Sequence, residues 1–176
     1  MNVMQQLRPV IFILIMMASL QACKSQSADN KGSGTDPSIA SKVPLQRLSN
    51  MNDAYAQSVK ANKPILAYFT SSDTCGLCKQ MDAAVFSTPV FKTWAEKNVV
   101  LYELDFSKDM QLPAGSLEQN TGMASYLKVS SYPVVWIINI THEVENGRFK
   151  VKPLGYTGYQ PTPEKLIGAL QNFVKR

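Results

Sequence analysis

Cys75 and Cys78 are the residues on which chemistry would rest: they stand in "SSDTCGLCKQM", residues 71–81, spaced Cys-x-x-Cys and followed at once by Lys79. Two thiols at this spacing can cycle between dithiol and disulfide, form a fixed staple, or supply half of a metal site. A bridge between such near neighbours closes so small a loop that it removes little entropy from the unfolded chain, which argues against a staple. A zinc site needs a second ligand pair, and His142, the one histidine, reads as an exposed hairpin-turn residue, so no metal ligands are assigned. For redox exchange the location matters. Cys75 follows a short apolar run and opens a helical segment, where unpaired backbone N–H groups and the positive end of the helix dipole favour a thiolate. Thiolate is the nucleophile, so Cys75 is the expected attacker. Cys78, one turn further on, is expected to be more buried and to attack the mixed disulfide that Cys75 forms, closing a Cys75–Cys78 disulfide. A copper carrier working through the two thiolates, and a binding module without turnover, are the alternatives from another class.

A nucleophile held in this way needs a strand behind it and a helix in front. "PILAYFT" (64–70) has the apolar, β-forming character of a buried parallel strand, and "GLCKQMDAAVF" (76–86) reads as the helix. "TPVFKTWAEKN" (88–98) restarts a helix, with Thr88 as cap and Pro89 at the first position. "VVLYELDF" (99–106) is the next strand, and the loop "SKDMQLPAGS" leads to a helix over 117–127. After the turn "KVSSYP" come the strand "VVWIINI" (134–140), the connection "THEVENG" and the partner strand "RFKVKPLGY" (148–156). "TPEKLIGALQNFVKR" (162–176) is a last helix, opened by Thr162 and Pro163. Upstream, "VPLQRLS" (43–49) reads as an edge strand and "NMNDAYAQSVKAN" (50–62) as a capped helix with Ala54, Ser58, Val59 and Ala61 at helical spacing. Strands separated by helices imply parallel right-handed crossovers, and the last two strands are close enough for an antiparallel hairpin. The expected fold is α/β, a central mixed sheet with helices on both faces. Tyr68, Phe91, Trp94 and Trp136 are assigned to its core.

The chain's 176 residues allow one ordinary domain plus appendages, and a hydrophobic fraction of 45% suits a globular core. Arg8 precedes "PVIFILIMMASL", an apolar run too short to span a membrane, which reads as a secretory signal over residues 1–22. It ends in Leu20-Gln21-Ala22-Cys23, which resembles the bacterial lipobox; by that likeness Cys23 is acylated and becomes the first mature residue, anchored in the lipid bilayer. Without the signal, 17 basic face 13 acidic side chains, or +4, and no run of Lys and Arg interleaves with aromatics, which argues against nucleic acid. Assigning Cys23 to lipid leaves Cys75 and Cys78 as the only mature thiols, in a compartment where disulfides persist. Residues 23–42, with "KSQSADNKGSGTDPSIASK", read as the lipidated N-terminus and a flexible linker, and residues 43–176 as the domain.

"ANKPILAYFTSSDTCGLCKQMDAAVFSTPVF" together with "VSSYPVVWIIN" resembles the thioredoxin superfamily, in the branch related to the C-terminal domain of the bacterial thiol:disulfide interchange protein DsbD. The likeness covers roughly residues 45–173. It implies a thioredoxin fold and a membrane-anchored thiol:disulfide oxidoreductase, a reductase or isomerase of exported proteins. It also implies a cis Pro133 opposite the cysteines, with the backbone of Tyr132 offering strand-like hydrogen bonds to substrate and Gly155 bordering the groove. No dissociable cofactor is implied. Electrons would come from a membrane donor of the DsbD type, and the expected place is the cell envelope, on the outer membrane facing the periplasm. Thioredoxins have Trp before the first cysteine and Gly-Pro between the pair; here stand Thr74 and Gly76-Leu77, so Gly76, Leu77 and Lys79 are the expected redox-tuning residues. The buried Asp of thioredoxin is matched by Tyr68, which is no base at neutral pH.

Overall fold

The computed structural model describes residues 45–108, 115–143 and 148–175. The expected export signal, Cys23, the expected linker and the start of the expected edge strand lie outside these residues, as do parts of the loop after 106 and of the final hairpin connection. Among the described residues four strands form one sheet in the order β2-β1-β3-β4: β1 Ile65–Thr70, β2 Val100–Asp105, β3 Val134–Glu143 and β4 Arg148–Thr157. β1 pairs parallel with β2 and antiparallel with β3, which pairs antiparallel with β4. This is the mixed α/β sheet that the pattern of elements implies.

All six residues of β1 are buried, as a central strand covered on both faces requires. Alternation divides them. Ile65, Ala67 and Phe69 join one core with Met51 and Ala54 of α1 (Met51–Ala61) and Met123 and Ala124 of α4 (Ser116–Tyr126). Leu66 and Tyr68 join the other, with Met81 of α2 (Gly76–Met81), Phe91 and Ala95 of α3 (Pro89–Asn98), and Leu166 and Leu170 of α5 (Pro163–Val174). Local chemistry sets the helix starts. Asn50 accepts N–H bonds from Asn52 and Asp53, Thr88 from Phe91, and Thr162 from Lys165, satisfying donors that have no partner within the helix.

Several elements differ from their sequence reading. The edge strand over 43–49 is reduced, among the described residues, to one parallel bridge, Leu48 to Tyr102, because Asn50 caps α1 two residues later and turns the chain away. In α1 the buried positions are Met51, Ala54 and Ser58, while Val59 is 61% exposed. The helix after Cys75 is not uniform: after Met81 it widens into a π-helical turn, Asp82–Phe86, closed by the N–H and hydroxyl of Ser87 on the Asp82 carbonyl. This turn buries the adjacent Val85 and Phe86 together. His142 is in β3 rather than in a turn, exposed but packed against the rings of Tyr55 and Phe149, which also touch each other.

Candidate active site

β1 and β2 run parallel and β3 runs against them, so the C-terminal ends of β1 and β2 and the start of β3 meet at one end of the sheet. Thr70 is paired with Asp105 there, and Phe69 with Val134. The cysteine loop leaves from Thr70, and Pro133 immediately precedes Val134. The Tyr132–Pro133 peptide is cis. Pro133 is buried and Tyr132 half-buried, its ring stacked on Phe106 with centroids 5.2 Å apart. The glycine beside this proline is Gly158, whose missing Cβ would lie 4.0 Å from the Pro133 carbonyl oxygen; Gly155 instead packs under the ring of Phe173 on α5. Position 155 therefore borders a helix rather than the groove.

Cys75 and Cys78 are joined in a disulfide with their Cα atoms 5.2 Å apart. Cys75 has extended backbone at the N-cap of α2, and its sulfur accepts the Cys78 N–H at 3.1 Å. It is half-exposed, whereas Cys78 is fully buried. Gly76, Leu77 and Lys79 are exposed, and Leu77 presents 47% of its surface beside the sulfurs' helix turn. The Lys79 ammonium is engaged with the loop: it donates to the Asp73 carbonyl at 2.9 Å.

The loop that presents Cys75 is tied by carboxylates. Asp105, 2% exposed, accepts the N–H groups of Ser72 and Ser107 through Oδ1. Its Oδ2, with Thr70 Oγ1 and Ser107 Oγ, is buried without a protein partner among the described residues, the kind of group that ordered water satisfies. Asp73 accepts the Lys108 N–H at 2.9 Å and the hydroxyls of Ser71 and Thr74. Those bonds, led by the Lys108 amide, hold its carboxyl below the ordinary value. Beneath Cys78 the setting is different. Tyr68 is fully buried, its ring 4.5 Å from Phe86, and its hydroxyl donates to the Cys78 carbonyl at 3.5 Å. Burial pushes its pKa far above that of free tyrosine, so it remains a donor at neutral pH.

A thioredoxin-like domain model matches residues 51–173. The chain belongs to the thioredoxin-like family. Among curated proteins it is similar to the disulfide bond reductase DsbH of Chlamydia pneumoniae, 24% identical over 132 residues that make up 73% of this chain and 76% of the relative. Among solved structures it is similar to a DsbH oxidoreductase, with a TM-score of 0.65, 25% identity, and coverage of 85% of this chain and 95% of that one. A thioredoxin from Thermus thermophilus shares the fold, with a TM-score of 0.53, 22% identity, and 76% of this chain against 90% of its own. Family, fold and the bonded Cys75–Cys78 pair together make this thioredoxin-like protein a thiol:disulfide oxidoreductase.

The structure thus gathers Cys75, Gly76, Leu77, Cys78, Lys79, Tyr132 and Pro133 at one end of the sheet; Cys23 lies outside the described residues. Arg47, Asp82, Glu103, Asp105 and Gly158 were not singled out from sequence. Their positions depend on pairings between segments far apart in the chain, which no local spacing reveals. Among the described residues no group of three or more His, Cys, Asp and Glu is arranged to hold a metal ion.

Proposed function

We propose that this protein is exported, lipidated at Cys23, and held by that anchor on the outer membrane facing the periplasm, where it reduces or isomerises disulfides of exported proteins. The observation that carries the catalytic part is the asymmetry of the pair: a half-exposed Cys75 at a helix start and a sealed Cys78 one turn behind it. In the reduced protein the Cys75 thiolate attacks a substrate disulfide, and the far substrate sulfur leaves as a thiolate that takes up a proton. Cys78 then loses its proton and attacks Cys75; the mixed disulfide breaks, the second substrate sulfur leaves, and the substrate has gained the two electrons that the new Cys75–Cys78 bond gave up. The substrate strand lies along the Tyr132 backbone beside Pro133, and Gly76, Leu77 and Lys79 tune the potential. The sulfur atoms carry the electrons, so no dissociable cofactor takes part. A dithiol of a membrane electron donor of the DsbD type restores the reduced pair. The reductive direction is supported by the similarity to a relative named a disulfide bond reductase.

The test is the reduction potential, measured by equilibrating the protein in thiol buffers and reading the pair by alkylation. A value near thioredoxin's, about −270 mV, is expected; a value near about −120 mV would make it an oxidant and overturn the direction of flow. A protein with no reversible couple that binds Cu(I) tightly when reduced would be a carrier instead.

A further inference from the structure

Arg47 stands ahead of the first helix, far in sequence from the cysteines, yet two chains of contact run from it to Cys78. Its Nη2 donates to Asp82 Oδ1 at 2.8 Å and its Nη1 to Glu103 Oε2 at 2.9 Å. Asp82 in turn donates its backbone N–H to the Cys78 carbonyl. The guanidinium also lies 5.2 Å from the Phe86 ring centroid; Phe86 packs on Tyr68, the register partner of Glu103, and Tyr68 gives its hydroxyl to the same Cys78 carbonyl. Side-chain exposures of 31% for Arg47, 30% for Asp82 and 17% for Glu103 leave these charges only partly screened by water.

We propose that Arg47 is a positioning residue for the resolving step: it neutralises and fixes Asp82 and Glu103 so that Cys78 can ionise and attack Cys75 from a set helical turn. The inference rests on the reading of Cys78 as the resolving thiol. In that step the Cys78 proton leaves, its sulfur bonds to Cys75, and the departing sulfur carries away the electron pair of the mixed disulfide. An anion forms at Cys78, so two uncompensated carboxylates nearby would oppose it. The groups that bear on this spot are Tyr68 from β1, Asp82 from the π turn, Glu103 from β2, and Asp105, whose charge also acts on Glu103. Lys79 is turned instead to the Asp73 carbonyl. Burial raises the pKa of Glu103, and Arg47 draws it back down.

Ellman's reagent separates the two steps, because attack by Cys75 releases one nitrothiobenzoate and resolution by Cys78 releases a second. With the full-length protein, Arg47→Met, which removes the charge but keeps a long unbranched side chain, is expected to leave the first release unchanged. It should slow the second about tenfold at neutral pH and move its pH midpoint up by about one unit. Arg47→Lys, which keeps the charge, should recover part of the rate. Adding Asp82→Asn and Glu103→Gln to Arg47→Met should return the midpoint towards its original value. An unchanged second release in Arg47→Met, equal slowing of both releases, or no recovery on neutralising the two carboxylates would each overturn the proposal. Absence of any second release from the unaltered protein would instead sink the oxidoreductase reading on which it rests.

Discussion

Cys75 and Cys78 share one bond and one helical turn, yet their surroundings have little in common. Cys75 hangs at the end of a loop of hydroxyls and carboxylates within reach of water, while Cys78 is fully buried, its carbonyl bonded by the hydroxyl of Tyr68, which packs on Phe86, with the Arg47 ion pairs behind them. The difference follows from helix geometry. An N-cap position leaves its side chain beside unpaired N–H groups, whereas a residue one turn inside faces whatever the helix packs on, here the sheet face that carries Leu66 and Tyr68. One sulfur can therefore be met by a partner while the other is met only from within.

The sharpest way to break the comparison is to remove each sulfur in turn. Cys75→Ser should abolish disulfide exchange, a loss of at least about a thousandfold, since no other described thiol lies at the surface. Cys78→Ser should leave the first attack intact and accumulate mixed disulfides, visible as shifted bands on non-reducing gels. If both variants behave alike, the pair has no division of labour. Next in size is Phe86→Ala. Phe86 is 1% exposed and sits between Tyr68, Phe91 at 4.8 Å and the Arg47 guanidinium, so its loss should cost about 3–5 kcal/mol, read as a lower urea midpoint. At temperatures where this variant stays folded, resolution should suffer more than attack, because the cavity lies on the Cys78 side alone.

The comparison also separates what the sequence made legible. The Cys75 side was readable locally: an apolar strand, a Cys-x-x-Cys and a helix start fix the first sulfur's setting by short-range geometry. The same holds for Asn50, Thr88 and Thr162 as caps, and for the succession of helices and strands along the chain, since each rests on local sequence. The Cys78 side was not readable. Arg47, Asp82 and Glu103 meet only because β1 and β2 pair in one register and the segment at Leu48 crosses to β2. The π turn was missed for a related reason: "DAAVF" has ordinary helical composition, and only the demand to bury Val85 and Phe86 together widens it. Gly155 and Gly158 stand three positions apart, each followed by a tyrosine, and packing against Phe173 or Pro133 alone tells them apart.

Asp73→Ala probes the loop on the Cys75 side and should have a smaller effect. The native carboxyl of Asp73 lies below its unfolded value because it accepts the Lys108 amide and the Ser71 and Thr74 hydroxyls. Its contribution to stability is therefore present above the unfolded pKa of about 3.9 and is lost as the pH falls through the native value. Urea midpoints of the two proteins should differ most near neutral pH and converge below about pH 3. A gap that persists unchanged into acid would show that the carboxylate charge plays no part in tying the loop.

Gly76→Ala should have the smallest effect, and in the opposite direction. Gly76 is the first residue of α2, and a Cβ added there would have no atom within 4 Å, while no positive φ is needed at this position. Glycine is therefore present without a steric reason, and it leaves the unfolded chain freedom that alanine would remove. Alanine should stabilise the protein by about 0.4–1 kcal/mol, read as a higher urea midpoint in both redox states. The two states need not gain equally. In the disulfide form the bond already restricts residues 75–78, so the same substitution has less freedom left to remove than in the dithiol. The larger gain should fall to the reduced protein. A gain confined to the oxidised form would show that the glycine serves the bonded ring rather than the helix start, and that the loop beside Cys75 is less free than its exposure suggests.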